Sequence, residues 1–414
     1  MAGAPRVGLV GLLGQGNLGN DGSLEAVLAY LDAEHPHAIL DFLCTGTDQM
    51  MARYGVPATR IRWYNAQTKG TGSMAALATK SLKVPLGMII DVFRLGTWVR
   101  RHDVVMVPGM GVLETSLPLR SWHTPYSMFL VSALGKMFGT KVALVSVGAT
   151  EIRQPLARRL VVAAARLAYY RSFRDAFSKD AMRRMGLDTS GDAVYPDLAF
   201  ALPAPRDIPA VPGMVGVGVM DYYGSNDDRR QADQLHASYV EKMKNFILWL
   251  VDNGHSVRLF TTDVHDERVM GEVIAYLRAQ RPQLDPSQIV AEPVSSLDEL
   301  MRQIASVDTV VASRFHNVLC ALKMAKPTLS VGYAAKFRVL MEEAGMAEFC
   351  QSAHSVDVDR MIEQFKELEG RSPQLRQMIM ERMAANVRLL DQQFVTMSAL
   401  LFQSTEREEA AAGH

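Results

Sequence analysis

Two series of short β-branched runs, each run separated from the next by amphipathic sequence of a dozen residues or more, limit most strongly what this chain can fold into. Strands that alternate with helices cannot join through tight hairpins. They pair in parallel and bury both faces of a sheet under the helices between them. The first series predicts strands near Arg6 to Leu12, Ala38 to Leu43, Asp103 to Val107, Lys141 to Ser146 and Tyr169 to Phe173. The second predicts them near Met214 to Met220, Val257 to Thr261, Ile289 to Ala291, Thr309 to Ala312 and Thr328 to Val331. Between the series stand Pro203, Pro205, Pro209 and Pro212, a density that no helix or central strand accommodates. The expected organisation is therefore a Rossmann-like domain over 1–202, a linker over 203–212 and a second Rossmann-like domain over 213–354. Helices over 355–403 and a frayed tail over 404–414 follow, the last helix packing back on the first domain. The fold class is α/β, two domains facing a central cleft with C-terminal helices. Ligands of such sheets bind beyond the carboxyl ends of the strands.

Charge narrows the function. Lys plus Arg and Asp plus Glu both number 44, so the formal net charge is zero and the basic surplus of a nucleic-acid binder is missing. A local cationic cluster for a small anion remains compatible with that balance. Cys44, Cys320 and Cys350 stand far apart without C-x-x-C spacing, which suggests neither a disulfide framework nor a zinc site. The first residues run directly into a strand without the pattern of a signal peptide, and Asp91, Arg94 and Lys136 interrupt the longest apolar stretches. A cytoplasmic protein is expected. Lys80 to Arg101 mixes Leu82, Leu86, Ile89, Ile90, Val92, Phe93 and Trp98 with Lys83, Arg94, Arg100 and Arg101. That is the pattern of a helix covering a sheet, and also that of a helix lying at the inner face of a membrane.

Six strand-end junctions carry chemistry. Gly14-Gln15-Gly16-Asn17-Leu18-Gly19 follows the first strand, where glycines let backbone approach a polar ligand at a helix N-terminus. A dinucleotide would need an acid closing the second strand; Asp41 has the spacing, but Phe42, Leu43 and Cys44 continue the strand beyond it. Gly109, Gly111 and Gly148 follow two further strands and would keep a cleft floor open. Ser172 to Ser178 places Arg174 and Asp175 at a strand end, with Ser178 positioned to cap the next helix. The most informative run is Ser313-Arg314-Phe315-His316, a strand-to-helix junction where a buried arginine and histidine are costly without a ligand or a partner. Lys336 starts a helix after the following strand. Arg174, Arg314, Lys336 and His316 together suit a small, multiply charged anion and a proton donor. No metal-binding motif accompanies them.

Asn17-Leu18-Gly19-Asn20-Asp21, Arg174-Asp175 with Ser178 and Gly186, and Ser313-Arg314-Phe315-His316 with Gly332, Tyr333 and Lys336 together resemble the polysaccharide pyruvyl transferase family, from Gly11 to about Gly345. The resemblance implies two Rossmann-type domains in the GT-B arrangement, 1–202 on the acceptor side and 213–354 on the donor side, and transfer of pyruvate from phosphoenolpyruvate to two hydroxyls of a sugar as a ketal, without metal or cofactor. By the same resemblance Arg174, Arg314 and Lys336 hold the donor and His316 lies against it as the acid that protonates C3; a histidine with an ordinary pKa near 6.5 suits that task. Gly16, Asn17 and Gly19 would line the substrate site, and Asp21 would orient the acceptor. Two positions depart from the family pattern: Phe315 replaces the more usual Leu, and Asn20 separates Gly19 from Asp21. The implied partners are phosphoenolpyruvate and a carbohydrate acceptor, a lipid-linked one included. Two other functions suit a two-domain α/β protein with a basic cleft at its strand ends: a nucleotide-sugar-dependent GT-B glycosyltransferase, and a non-catalytic carbohydrate-binding protein.

Overall fold

The computed structural model describes residues 4–63, 74–114, 121–224, 228 and 230–402, with side chains of 74–82 left out. The expected tail over 404–414 and the side chains of Lys80 and Leu82 lie outside the described residues. The chain forms two compact units, one from 4–15, 23–198 and 390–402, the other from 16–22 and 199–389.

In the first unit β1 (Arg6–Gly11), β2 (Ile39–Cys44), β3 (Ala58–Arg60), β4 (Val104–Pro108), β5 (Lys141–Val147), β6 (Tyr170–Phe173) and β7 (Ala193–Val194) form one sheet. Its order is β3-β2-β1-β4-β5-β6-β7, with every pairing parallel. The chain reverses its winding at β1 and β4, the switch point at which open α/β sheets bind ligands. Its helices are α1 (Leu18–Glu34), α2 (Thr47–Tyr54), α3 (Met74–Val99), α4 (Thr124–Phe138), α5 (Pro155–Leu167) and α6 (Ala176–Arg184). In the second unit β8 (Met214–Gly218), β9 (Ser256–Phe260), β10 (Ile289–Ala291), β11 (Thr309–Ala312), β12 (Thr328–Gly332) and β13 (Cys350–Ser352) pair in parallel in the order β10-β9-β8-β11-β12-β13. Helices α7 (Ala232–Asp252), α8 (Glu267–Gln280), α9 (Leu297–Ala305), α10 (Phe315–Lys323), α11 (Ala335–Glu343), α12 (Val358–Gly370) and α13 (Ser372–Leu401) complete it. The central strands β4, β8, β11 and β12 are buried along their whole length, as strands covered on both faces must be.

The strands expected from the sequence are present, with ends moved by one or two residues. The additions, β3, β7 and β13, are edge strands of two or three residues, too short to show a periodicity. One local expectation is corrected: Asp175, not Ser178, caps α6. The Asp175 carboxylate accepts from the Ser178 amide at 2.6 Å, and the Ser178 hydroxyl accepts instead from the Ala149 amide at 3.0 Å.

Both units borrow chain from beyond the linear division. Gly16–Gly22 groups with the second unit, where Leu18 N–H donates to Thr262 O at 3.2 Å and Asn17 bridges Asp263. The last turns of α13 group with the first unit. There the buried Gln393 amide donates to Ser172 Oγ at 2.8 Å, and its oxygen accepts from Ser146 Oγ at 2.9 Å. Ser146 needs the support, because its φ of +48° interrupts the register of β5 and lies in a region that favours glycine.

Lys326, after α10, is buried and donates to the carbonyls of Ala305 at 2.8 Å and Val307 at 2.7 Å, closing the end of α9. Burial, with Arg376 adding repulsion, pushes its ammonium down to about 8. The unfolded chain then binds the extra proton between pH 8 and the ordinary lysine value, so stability rises through that window and the burial penalty is full below it. We expect the unfolding free energy of the parent, relative to Lys326→Met, to rise by up to about 3 kcal/mol between pH 8 and 10.5. Urea unfolding across the pH series measures it, and a flat difference contradicts the assignment.

Candidate functional site

The second unit carries Arg314, His316 and Lys336 at the carboxyl ends of β11 and β12, with Asp266 after β9. Arg314 follows β11 in extended backbone as the residue before α10, so its side chain leaves the sheet edge while the helix begins behind it. It forks onto Asp266, Nε to Oδ2 at 2.7 Å and Nη2 to Oδ1 at 2.6 Å. Asp266 is fully buried and also accepts from the Asp221 amide at 2.8 Å. Burial alone would depress the Arg314 guanidinium, but hydrogen bonding and charge from Asp266 outweigh it and hold the group above its usual value. The fork uses one edge of the guanidinium. The side chain keeps 22% of its surface exposed.

His316 stands two residues on, half-buried, with its ring packed against the backbone of Gly19. A Cβ at position 19 would fall inside that imidazole, so glycine here is a requirement of the contact. The Phe315 ring lies edge-on to the histidine with centroids 5.4 Å apart, and Lys336 Nζ sits 5.3 Å from the Phe315 centroid in cation–π geometry. Phe315 thus flanks both the lysine and the imidazole. Behind Arg314, the buried Ser313 hydroxyl accepts from Tyr239 Oη at 2.7 Å, and burial raises that phenol far above its ordinary range.

The turn after β1 completes this face. Gly16 has a φ of +80° and its Cβ position meets Val264. The Asn17 side chain accepts from the Asn20 amide at 3.2 Å and so caps the start of α1. Asp21 is buried in that first turn. Gly16, Asn17, Gly19, Asp21, Arg314, His316 and Lys336 therefore all fall within one unit, although some 300 residues separate the two stretches.

Arg174, expected in the same pocket, belongs instead to the first unit. Its side chain is 5% exposed and faces three carboxylates: Glu114 in a hydrogen-bonded pair, Asp175 at 3.5 Å and Asp197 at 3.6 Å. Burial opposes its charge, and Glu114, Asp197 and Asp175 more than restore it. Gly111 and Gly148, expected to keep a cleft floor open, instead make room for this cluster. A Cβ at 111 would lie 2.6 Å from the Glu114 carboxyl carbon, and one at 148 would lie 2.6 Å from Arg174 Nη2.

Sequence reading missed Asp263 and Asp266, partners of the turn and of Arg314. Their signal was present as Thr261-Thr262-Asp263-Val264-His265-Asp266, acids at a strand end that match an unpaired arginine elsewhere. No group of three His, Cys, Asp or Glu side chains among the described residues is arranged to hold a metal ion.

Residues 17–334 match the family described as polysaccharide pyruvyl transferase, most of the chain. No curated protein matches it significantly. Solved structures share the fold at low identity. A UDP-N-acetylglucosamine 2-epimerase from Listeria monocytogenes, itself given as putative, has a TM-score of 0.58 at 13% identity, covering 91% of each chain. A glycosyltransferase from Rickettsia africae has a TM-score of 0.59 at 11% identity, covering 97% of this chain and 99% of its own. HepE from Anabaena, solved with UDP-glucose, has a TM-score of 0.58 at 11% identity over 97% of this chain and all of its own. The fold is thus that of GT-B glycosyltransferases and epimerases.

Removing Arg314 strands a buried carboxylate. Arg314→Ala is expected to cost about 3 kcal/mol in urea unfolding, and the double variant with Asp266→Asn to recover part of it. Additive losses would mean that the fork does not couple the two residues.

Proposed function

Because the chain belongs to the polysaccharide pyruvyl transferase family, we propose that it moves pyruvate from phosphoenolpyruvate onto two hydroxyls of a sugar as a cyclic ketal and releases phosphate. The observation that carries this reading is the imidazole of His316, set between the backbone of Gly19 and the Phe315 ring, with Arg314 and Lys336 on either side of it in sequence. Phosphoenolpyruvate is a poor electrophile at C2 until C3 gains a proton. His316 donates that proton. The Arg314 guanidinium and the Lys336 ammonium hold the carboxylate and phosphate, and the bound donor's negative charge favours the imidazolium before transfer. The first sugar hydroxyl adds at C2, the C2–O bond to phosphate breaks, and the second hydroxyl closes the ketal. Of the two protons released by the hydroxyls, one restores His316 and one leaves with phosphate. Asp21 orients the acceptor from the first turn of α1. No step calls for a metal or cofactor. Arg174, already enclosed by carboxylates, acts here as the organiser of its own unit's strand-end loops.

The scheme places one solvent hydrogen in the product methyl group. In D2O, mass analysis of the product of an acceptor panel is expected to show one deuterium per ketal. His316→Ala is expected to bind phosphoenolpyruvate and lose turnover by at least about 100-fold; full activity in that variant removes the proposed acid. A rise in melting temperature with UDP-sugars and none with phosphoenolpyruvate would favour a glycosyltransferase instead. Binding of the sugar without phosphate release would favour a carbohydrate-binding role.

The acceptor being membrane-borne is the finer reading of the same function. Among the described residues no helix is long and apolar enough to cross a membrane. The outward face of α3 nevertheless carries Leu86, Ile89 and Phe93, the last 71% exposed, beside Phe138 of α4 next to Gly96. Exposed Lys83, Arg100 and Arg101 flank this stripe, and the one acid between them, Asp91, is buried against Arg94 at 2.6 Å. With its apolar stripe and flanking cations, the face complements an anionic lipid surface. Vesicles containing phosphatidylglycerol are expected to carry the protein in flotation at low salt, and Phe93→Ser to reduce the bound fraction several-fold. Retention independent of Phe93, or equal on neutral vesicles, would overturn it.

A further inference from the structure

A polar cavity of about 720 Å³ in the first unit lies apart from the residues assigned so far. It opens beyond the carboxyl ends of β1, β2 and β3, three adjacent strands, and the residues following each of those ends form its walls. Its floor is bare backbone. Gly14, with φ at +67°, packs directly on Gly46, and a Cβ on Gly46 would strike the Gly14 carbonyl. Gly46 also precedes α2 without any side-chain cap, and the first intrahelical bond runs from Met50 N–H to Gly46 O at 3.1 Å. The amides of Thr47, Asp48 and Gln49 therefore have no acceptor within the helix. All three residues line the cavity.

The opposite wall is Arg60-Ile61-Arg62-Trp63. Trp63 is 47% exposed, which is unusual for the largest apolar side chain, yet its backbone is anchored by a hydrogen bond that its N–H donates to Asp91 Oδ1 at 2.9 Å. Arg94 occupies that same carboxylate at 2.6 Å and donates to the Arg60 carbonyl at 2.8 Å, so the strand end is braced from behind. Arg62 is half-buried. Among the described residues no carboxylate reaches it as an ion pair; Asp91 acts on it only through space against the cost of burial. A half-buried arginine with no carboxylate paired to it among the described residues suits an anion.

These parts specify one kind of ligand. A planar indole at the rim stacks on the C–H face of a pyranose, and Asp48 and Gln49 offer acceptors and a donor for its hydroxyls. Two guanidinium groups and a helix N-terminus supply the charge complement of a phosphate or carboxylate. We propose that this cavity, within the first unit, binds an anionic saccharide unit, a sugar phosphate or a uronic acid. This binding is independent of the pyruvyl transfer proposed above.

Direct binding separates the two. With no phosphoenolpyruvate present, isothermal titration of the full chain with galactose 1-phosphate, galacturonic acid, methyl galactoside, inorganic phosphate and uridine monophosphate gives five affinities. The expected result is that the sugar phosphate or the uronate binds at least tenfold more tightly than methyl galactoside and inorganic phosphate, the tighter of the two identifying the anion. Arg62→Gln is expected to remove that preference, and Trp63→Ala to weaken both anionic sugars by tenfold or more. Trp63 is exposed at the rim, so its variant tests the site without disturbing the core. Equal affinity for the neutral sugar, tighter binding of inorganic phosphate or the mononucleotide, no binding by any probe, or affinities indifferent to both substitutions would each overturn the proposal. Turnover of phosphoenolpyruvate with none of this binding would discard the saccharide site and leave the transferase reading intact. Binding without turnover would do the reverse.

Discussion

A carboxylate with no exposed surface must be paired, and in the second unit that requirement falls on Asp266. It is met from two directions, by the Arg314 fork and by the Asp221 amide, which ties the segments following β8, β9 and β11 to one point. Because Arg314 immediately precedes α10, pinning its side chain fixes where that helix begins and where His316, on its first turn, stands. Gly19 then closes on the imidazole at a distance only glycine permits. The geometry of this face is thus held by one buried ion pair.

The first unit solves the same problem with the charges inverted. Arg174 is the buried group, and Glu114, Asp175 and Asp197 supply its counter-charge. Asp175 serves twice, since it also caps α6. Glycines at 111 and 148 give the cluster its volume. In both units strand-end loops with little apolar surface of their own are ordered by one deeply held arginine whose rigid fork reaches several segments at once.

How far sequence alone could reach is visible in these two arginines. Each was recognisable as a cation at a strand end, and the strands themselves were legible because alternation of β-branched runs with amphipathic helices is a local property. Whether the arginine meets a ligand or a carboxylate is not local. Asp266 lies 48 positions from Arg314, and Glu114 lies 60 from Arg174. The Arg60-Ile61-Arg62-Trp63 run carries no periodicity and follows a three-residue strand, so nothing marked it until the sheet order placed it beside Gly14 and Gly46.

The sequence by itself determined the α/β class, two parallel sheets, the family and the strand-end junctions that carry its polar residues, because short-range periodicity and motif spacing encode all of these. Tertiary structure alone decided that the turn after β1 groups with the second unit and the end of α13 with the first. It also decided which cations are already neutralised and which glycines serve as contact surfaces. The physical reason is that pairing of buried charge and close packing act through space, between residues whose separation along the chain carries no trace of their distance in the fold.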